Sequence, residues 1–148
     1  MRTTCVRATL PALSELVAAF RGRCGHTPGD HLILRWAQSL AHLHRVRLIN
    51  PARASEIDHR REEVAVLIDS WVALHIPAPP HPCESTERIG TAVDQMAEAH
   101  VAAEIALETE HTPDELHAAW EHVGYLGTRW TDLVSAVIDG QSPLPPKN

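Results

Sequence analysis

From Leu116 to Val137 apolar residues return every three or four positions, as Leu116, Ala119, Val123, Leu126, Trp130, Leu133 and Val137, with no polar interruption. That spacing gathers them on one face of an α-helix, whereas a strand, with its period of two, would scatter them over both faces. The start is marked as clearly: Thr112 caps, Pro113 takes the first helical position, and Glu115 completes a capping box. Gly140 and Pro143 close the segment near residue 139, and the tail from Gln141 is expected to fray. An apolar stripe this long has to be buried against other helices, so it constrains the rest of the chain.

Four further segments carry the same period. The first covers about 11–21, with Thr9 or Leu10 near its cap, and stops at Gly22 and Gly25. The second covers about 31–49, capped by Asp30 and ended by Asn50-Pro51, with the stripe Ile33, Trp36, Leu40, Leu43, His44 and Arg47. The third, 54–75, has the seam Ile57, Arg61, Val64, Ile68, Trp71 and His75; the fourth, 85–108, has Ile89, Val93, Met96, His100, Ala103 and Leu107. Pro77, Pro79, Pro80 and Pro82 make the stretch between them a stiff connector. The expected fold is all-α: one domain over 1–148, an up-and-down four-helix bundle with an additional N-terminal helix packed across it. Gly124 and Gly127 lie inside the fifth helix, where small residues admit a close crossing by helix one or by a second subunit.

Charge narrows the function classes. The net charge is −6 and uneven: residues 1–75 hold ten arginines against seven acids, and residues 76–148 hold three basic residues against twelve. Phosphate binding needs an excess of Lys and Arg, so nucleic acid is disfavoured as a partner. No apolar run approaches the roughly 20 residues of a membrane span, and no signal-peptide pattern is read at the N-terminus, so a cytoplasmic protein without a membrane partner is expected. The three cysteines, Cys5, Cys24 and Cys83, form no C-x-x-C and fit a reducing compartment. Arg23 beside Cys24 is the one feature that could activate a thiol; an ordinary loop cysteine is the default.

The informative residues are polar side chains where the helical period demands apolar ones. In an up-and-down order His44, Arg47, Asp58 and Arg61 fall within roughly 10 Å of the end marked by the 50–53 loop. An antiparallel fourth helix returns His100 and Glu104 to the same layer, where His117 and Trp120 of the fifth would join. Two readings are open. One is a structural network, with Asp58 paired to Arg61, Glu104 answering Arg47, and the register of the bundle fixed. The other is a pocket for a small anionic ligand, or an acid–base site using His44 or His100. Asp69 and Asp94 are expected in a second polar patch, away from the first.

Eleven histidines call for a metal test. The two E-x-x-H matches, Glu56/His59 and Glu108/His111, sit at helix ends and off the seams, so neither a metal site nor any other cofactor is expected. H-E-x-x-H, G-x-S-x-G and a Gly-rich phosphate loop are absent from the sequence, which makes an enzyme the less favoured reading.

Several runs resemble the helical family designated domain of unknown function 4254, in its actinobacterial form. They are Ala41-x-x-His44-x-x-Arg47, Ile57-Asp58-x-x-Arg61 with Ile68-Asp69, Thr86-Glu87-x-x-Gly90 leading to Val93-Asp94, and Ala119-Trp120 leading to Leu126. Gln95 departs from the basic residue expected after Asp94. The resemblance, over about 10–145, implies a helical fold and no established activity. The favoured function is a binding or interaction module that self-associates or takes a partner protein. The alternative is a small-ligand-binding protein or enzyme built on His44, Arg47, Asp58, Arg61, His100 and Glu104.

Overall fold

The computed structural model describes residues 9–27, 29–76 and 88–141. They form five helices: α1 (Leu13–Phe20), α2 (Leu32–Ile49), α3 (Ala54–His75), α4 (Ile89–Glu108) and α5 (Pro113–Gln141), with a single 3-10 turn, Pro51–Arg53, between α2 and α3. No strand occurs among the described residues. The expected all-α bundle of α2 to α5 with a more peripheral α1 is what the chain builds. The proline connector and the proposed start of the fourth helix at residues 85–87 lie outside the described residues, as does the tail beyond 141.

Local signals account for most of the helix ends, with three corrections. Pro11 stays outside α1; the cap is Ala12, not Thr9 or Leu10, and the Glu15 carboxylate accepts from its backbone N–H at 3.0 Å. Asp30 does not cap α2. It closes the preceding loop, accepting from the N–H groups of Gly25 and Thr27 at 2.8 and 3.1 Å. The cap is the next residue, His31, whose Nδ1 accepts from the Ile33 N–H at 3.1 Å while Nε2 donates to the Thr9 carbonyl at 3.0 Å. Gly140 does not end α5, which continues to Gln141. The Thr112–Glu115 capping box forms as expected, its two bonds measuring 3.2 and 3.3 Å.

The helix α4 is the hub, packing against α1, α2, α3 and α5. Its sequence explains why. Ala92, Ala97, Ala99, Ala103 and Ala106 are buried on several sides, and small side chains let four neighbours approach one helix. The approach is closest at Gly90, where a Cβ would lie 2.1 Å from the Ala65 carbonyl oxygen of α3. Beside it Asp69 accepts from the Gly90 N–H at 2.8 Å, satisfying one of the free donors at the start of α4. The pairings Asp69–Gly90 and Arg61–Asp94 run in opposite directions along the two helices, so α3 and α4 are antiparallel.

Among the described residues the outer helix α5 packs on α4 and α1 alone. Trp130, fully buried, donates from Nε1 to the Pro11 carbonyl at 3.0 Å, and Gly127 lies under Leu13. The close crossing expected at the α5 glycines is therefore made by α1, at Gly127, while Gly124 faces open space. Two seam positions depart from expectation: Leu107 is 62% exposed and His75 lies at the surface, its ring stacked on Trp71. Among the described residues no helix is long and apolar enough to cross a membrane.

Candidate functional site

Four of the six expected site residues come together, around a fifth that was expected elsewhere. Asp94 of α4 accepts from His44 Nε2 of α2 at 2.8 Å and from Arg61 Nη1 of α3 at 2.6 Å. Arg61 passes the chain on, donating from Nη2 and Nε to one oxygen of Asp58 at 2.8 and 3.3 Å. Asp58 in turn takes two bonds from Arg47, Nε at 2.9 Å and Nη2 at 3.2 Å. The result is a continuous chain, His44–Asp94–Arg61–Asp58–Arg47, that ties three helices together. Asp94 is thus at the centre of the first polar layer, not in a separate patch with Asp69. Arg47 is answered by Asp58, not by Glu104.

The other two expected residues form a separate cluster. His100, buried, donates from Nε2 to Glu104 at 2.8 Å, and Glu104 also meets Arg45 at 3.3 Å and Arg21 at 3.6 Å. Arg45 further donates to the Phe20 carbonyl. The rings of Phe20 and Trp120 pack against the imidazole with centroids at 5.8 and 5.9 Å. His117 does not join; it is exposed on α5 beside Glu121.

The split is angular. Depth along the axis put His100 and Glu104 in the layer of His44 and Arg61, but each residue turns an α-helix by about 100°. Asp94 and Glu98, four apart, share a face toward α2 and α3, whereas His100 and Glu104 look round the helix toward α1 and α5. On α2 the same step separates Arg45 from His44. The helical period gives the turn between Asp94 and His100, while packing decides which neighbour each one faces.

Electrostatics differ between the clusters. Hydrogen bonds from Arg47 and then Arg61 hold the Asp58 carboxyl down to about 2. Burial penalises the Arg61 cation, but Asp58 and Asp94 more than offset it and its proton is held more tightly than usual. His100 goes the other way: burial lowers its affinity for a proton, Arg21 and Arg45 add to this, and Glu104 only partly opposes it. A neutral His100 carries its proton on Nε2 toward Glu104, which leaves Nδ1 as an acceptor. That atom is buried without a hydrogen-bond partner.

A cavity of about 190 Å³ opens on the first chain, bounded by His44, Arg47 and Leu48 of α2, Arg61 of α3, and Glu98 and Ala102 of α4. Larger hollows beside Arg35 and Trp36 and beside Val66 and Ile89 are shallower and touch neither cluster. Among the described residues no three potential metal ligands gather. Of the E-x-x-H residues, Glu56 pairs with Arg53, His59 with Glu63 and His111 with Glu115. Cys24 is not an activated thiol. It lies against the Glu15 carbonyl, and burial followed by the charges of Asp30 and Glu15 raises its pKa.

The chain matches no protein-family model, no curated protein and no solved structure.

Proposed function

We propose that this chain is a small-ligand-binding protein whose ligand sits in the cavity between α2, α3 and α4, touched by His44, Arg47 and Arg61. The observation that carries the reading is the placement of the cavity on a pre-ordered polar chain. Five side chains from three helices are fixed by one another, yet His44 Nδ1 and Arg47 Nη1 have no hydrogen-bond partner among the described residues. Both residues line the cavity. Polar groups held in place before a ligand arrives lower the cost of binding it. A purely structural network would need no adjoining space.

The test is native mass spectrometry of untagged protein purified without metal-affinity resin. A mass above the 16.3 kDa chain, or above a multiple of it, that disappears in the Arg61→Ala variant supports the reading. A bare mass, together with no small-molecule-induced shift of the His44 ring resonances, sinks it.

Self-association is the second reading. It is favoured by apolar side chains left at the surface of α3, where Val66 and Leu67 stand well exposed and Leu74 is 80% exposed. A concentration-independent monomer in light scattering would remove it. Kinship with the domain of unknown function 4254 is likewise a proposal. It is supported by the residues that carried the resemblance, since His44, Arg47, Asp58, Arg61, Asp69, Gly90 and Asp94 all take part in the contacts that join α2, α3 and α4.

A further inference from the structure

Resting on the ligand reading above, we infer that Glu98 is the second pole of the cavity and that the ligand is a small aliphatic zwitterion of the α-amino-acid type. The cavity wall holds two guanidiniums, Arg47 and Arg61, and the polar chain behind it two carboxylates, Asp58 and Asp94. These four cancel. Glu98, on the rim, is the residue left over: among the described residues it makes no hydrogen bond or ion pair, and it feels Arg47 only through space. The surround is therefore one negative charge in excess before His44 is counted, which disfavours a simple anion.

The unused polar atoms specify the complement. In the neutral ring, with Nε2 donating to Asp94, the remaining nitrogen of His44, Nδ1, offers a lone pair. Glu98 offers carboxylate oxygens. Both accept, and together they suit an ammonium group. Arg47 keeps Nη1 as a free donor, since Nε and Nη2 are taken by Asp58, and this suits a carboxylate. Leu48 and Ala102 give the cavity an apolar side. The cavity is small, about 190 Å³, which suits a short branched side chain with its two charged groups.

The test compares three probes of similar size by His44 ring shifts and by calorimetry at low salt: L-valine, isobutyrate and isobutylamine. The expected order is L-valine above either single-charge probe, and Glu98→Gln should weaken L-valine roughly tenfold without weakening isobutyrate. Glu98 is exposed and unbonded, so this variant keeps the fold. Isobutyrate or isobutylamine binding as well as L-valine, or L-valine indifferent to Glu98→Gln, overturns the zwitterion while leaving a working cavity. No response to any probe also overturns it, and the native mass measurement then decides separately whether the cavity binds anything.

Discussion

Arg61 and Asp94 meet across α3 and α4 through Nη1 and Oδ2 at 2.6 Å, with 18% of each side chain exposed, the most sheltered Arg–Asp contact in the polar chain. Each is also bonded to another member, Arg61 to Asp58 and Asp94 to His44, so the pair is the joint between two helix contacts.

Replacing Arg61 by Ala leaves Asp94 with His44 alone and removes one of two guanidiniums from Asp58. The expected loss is about 2 kcal/mol, less than for a fully buried pair because both carboxylates reach water. That corresponds to a melting point lower by roughly 6 °C for a chain of this size. Arg61→Lys should recover only part of it, since one ammonium cannot bridge two carboxylates in the guanidinium's geometry. An unchanged melting curve for Arg61→Ala would show that the joint carries no strength.

Strong acid should act through Asp58. Its folded-state pKa, near 2, lies below the ordinary 3.8, so ionised Asp58 stabilises the fold fully above about pH 4. That contribution is lost as the pH falls from about 4 through 2. Denaturant melts taken across this window should show a steep acid limb in the parent and a shallower one in Asp58→Asn. Equal slopes would place the acid sensitivity elsewhere.

The His100 effect has its own window. Because its pKa is lowered on folding from the ordinary 6.5, the unfolded chain takes up the proton first. Stability is therefore full above pH 6.5, declines as the pH drops below it, and levels off once the folded form is also protonated. His100→Leu keeps the bulk, deletes the unpartnered Nδ1 and leaves Glu104 with Arg45 and Arg21. It should flatten this decline and cost little at neutral pH. A variant that keeps the parent's slope would assign the proton to another group.

The glycines should sort by their surroundings. Gly90→Ala forces a methyl against the Ala65 carbonyl and is expected to cost about 3 kcal/mol or to displace α4. Gly124→Ala meets nothing within 4 Å inside a helix and should raise stability by about 1 kcal/mol. Gly127→Ala would press on Leu13 Cδ2 at 3.0 Å, the flexible end of a side chain, and should fall between them. Thermal melts of the three single variants give the ranking, and a Gly90→Ala protein as stable as the parent would contradict the backbone contact.

Much of the fold was legible because helix period and punctuation act locally: the capping box at Thr112 and the stop at Asn50-Pro51 each depend on neighbouring residues. The site was legible in part. His44, Arg47, Asp58 and Arg61 stood out as polar residues on apolar stripes, and the turn at Pro51–Arg53 brings their two helices together. Asp94 was misplaced because its partners lie 50 and 33 positions away, and the angle at which α4 meets α2 and α3 is set by packing around Gly90 and the alanines. Glu98 carries no period signal at all. Its interest comes from what it does not touch, which is a property of the folded surroundings. The same is true of His31, where a histidine ring does the capping that Asp30 was better suited to by composition.

The central position of α4 also bears on synthesis. Three helices precede it in the chain, and all three take it as a neighbour. A nascent polypeptide that has delivered residues up to His75 holds α1, α2 and α3 with their common partner still unmade, and Arg61 has no Asp94 to meet. Stable structure then waits for α4 to clear the ribosome. The protein should thus fold late and as one cooperative unit, the links of Asp94 to His44 and Arg61 closing only once α4 is present.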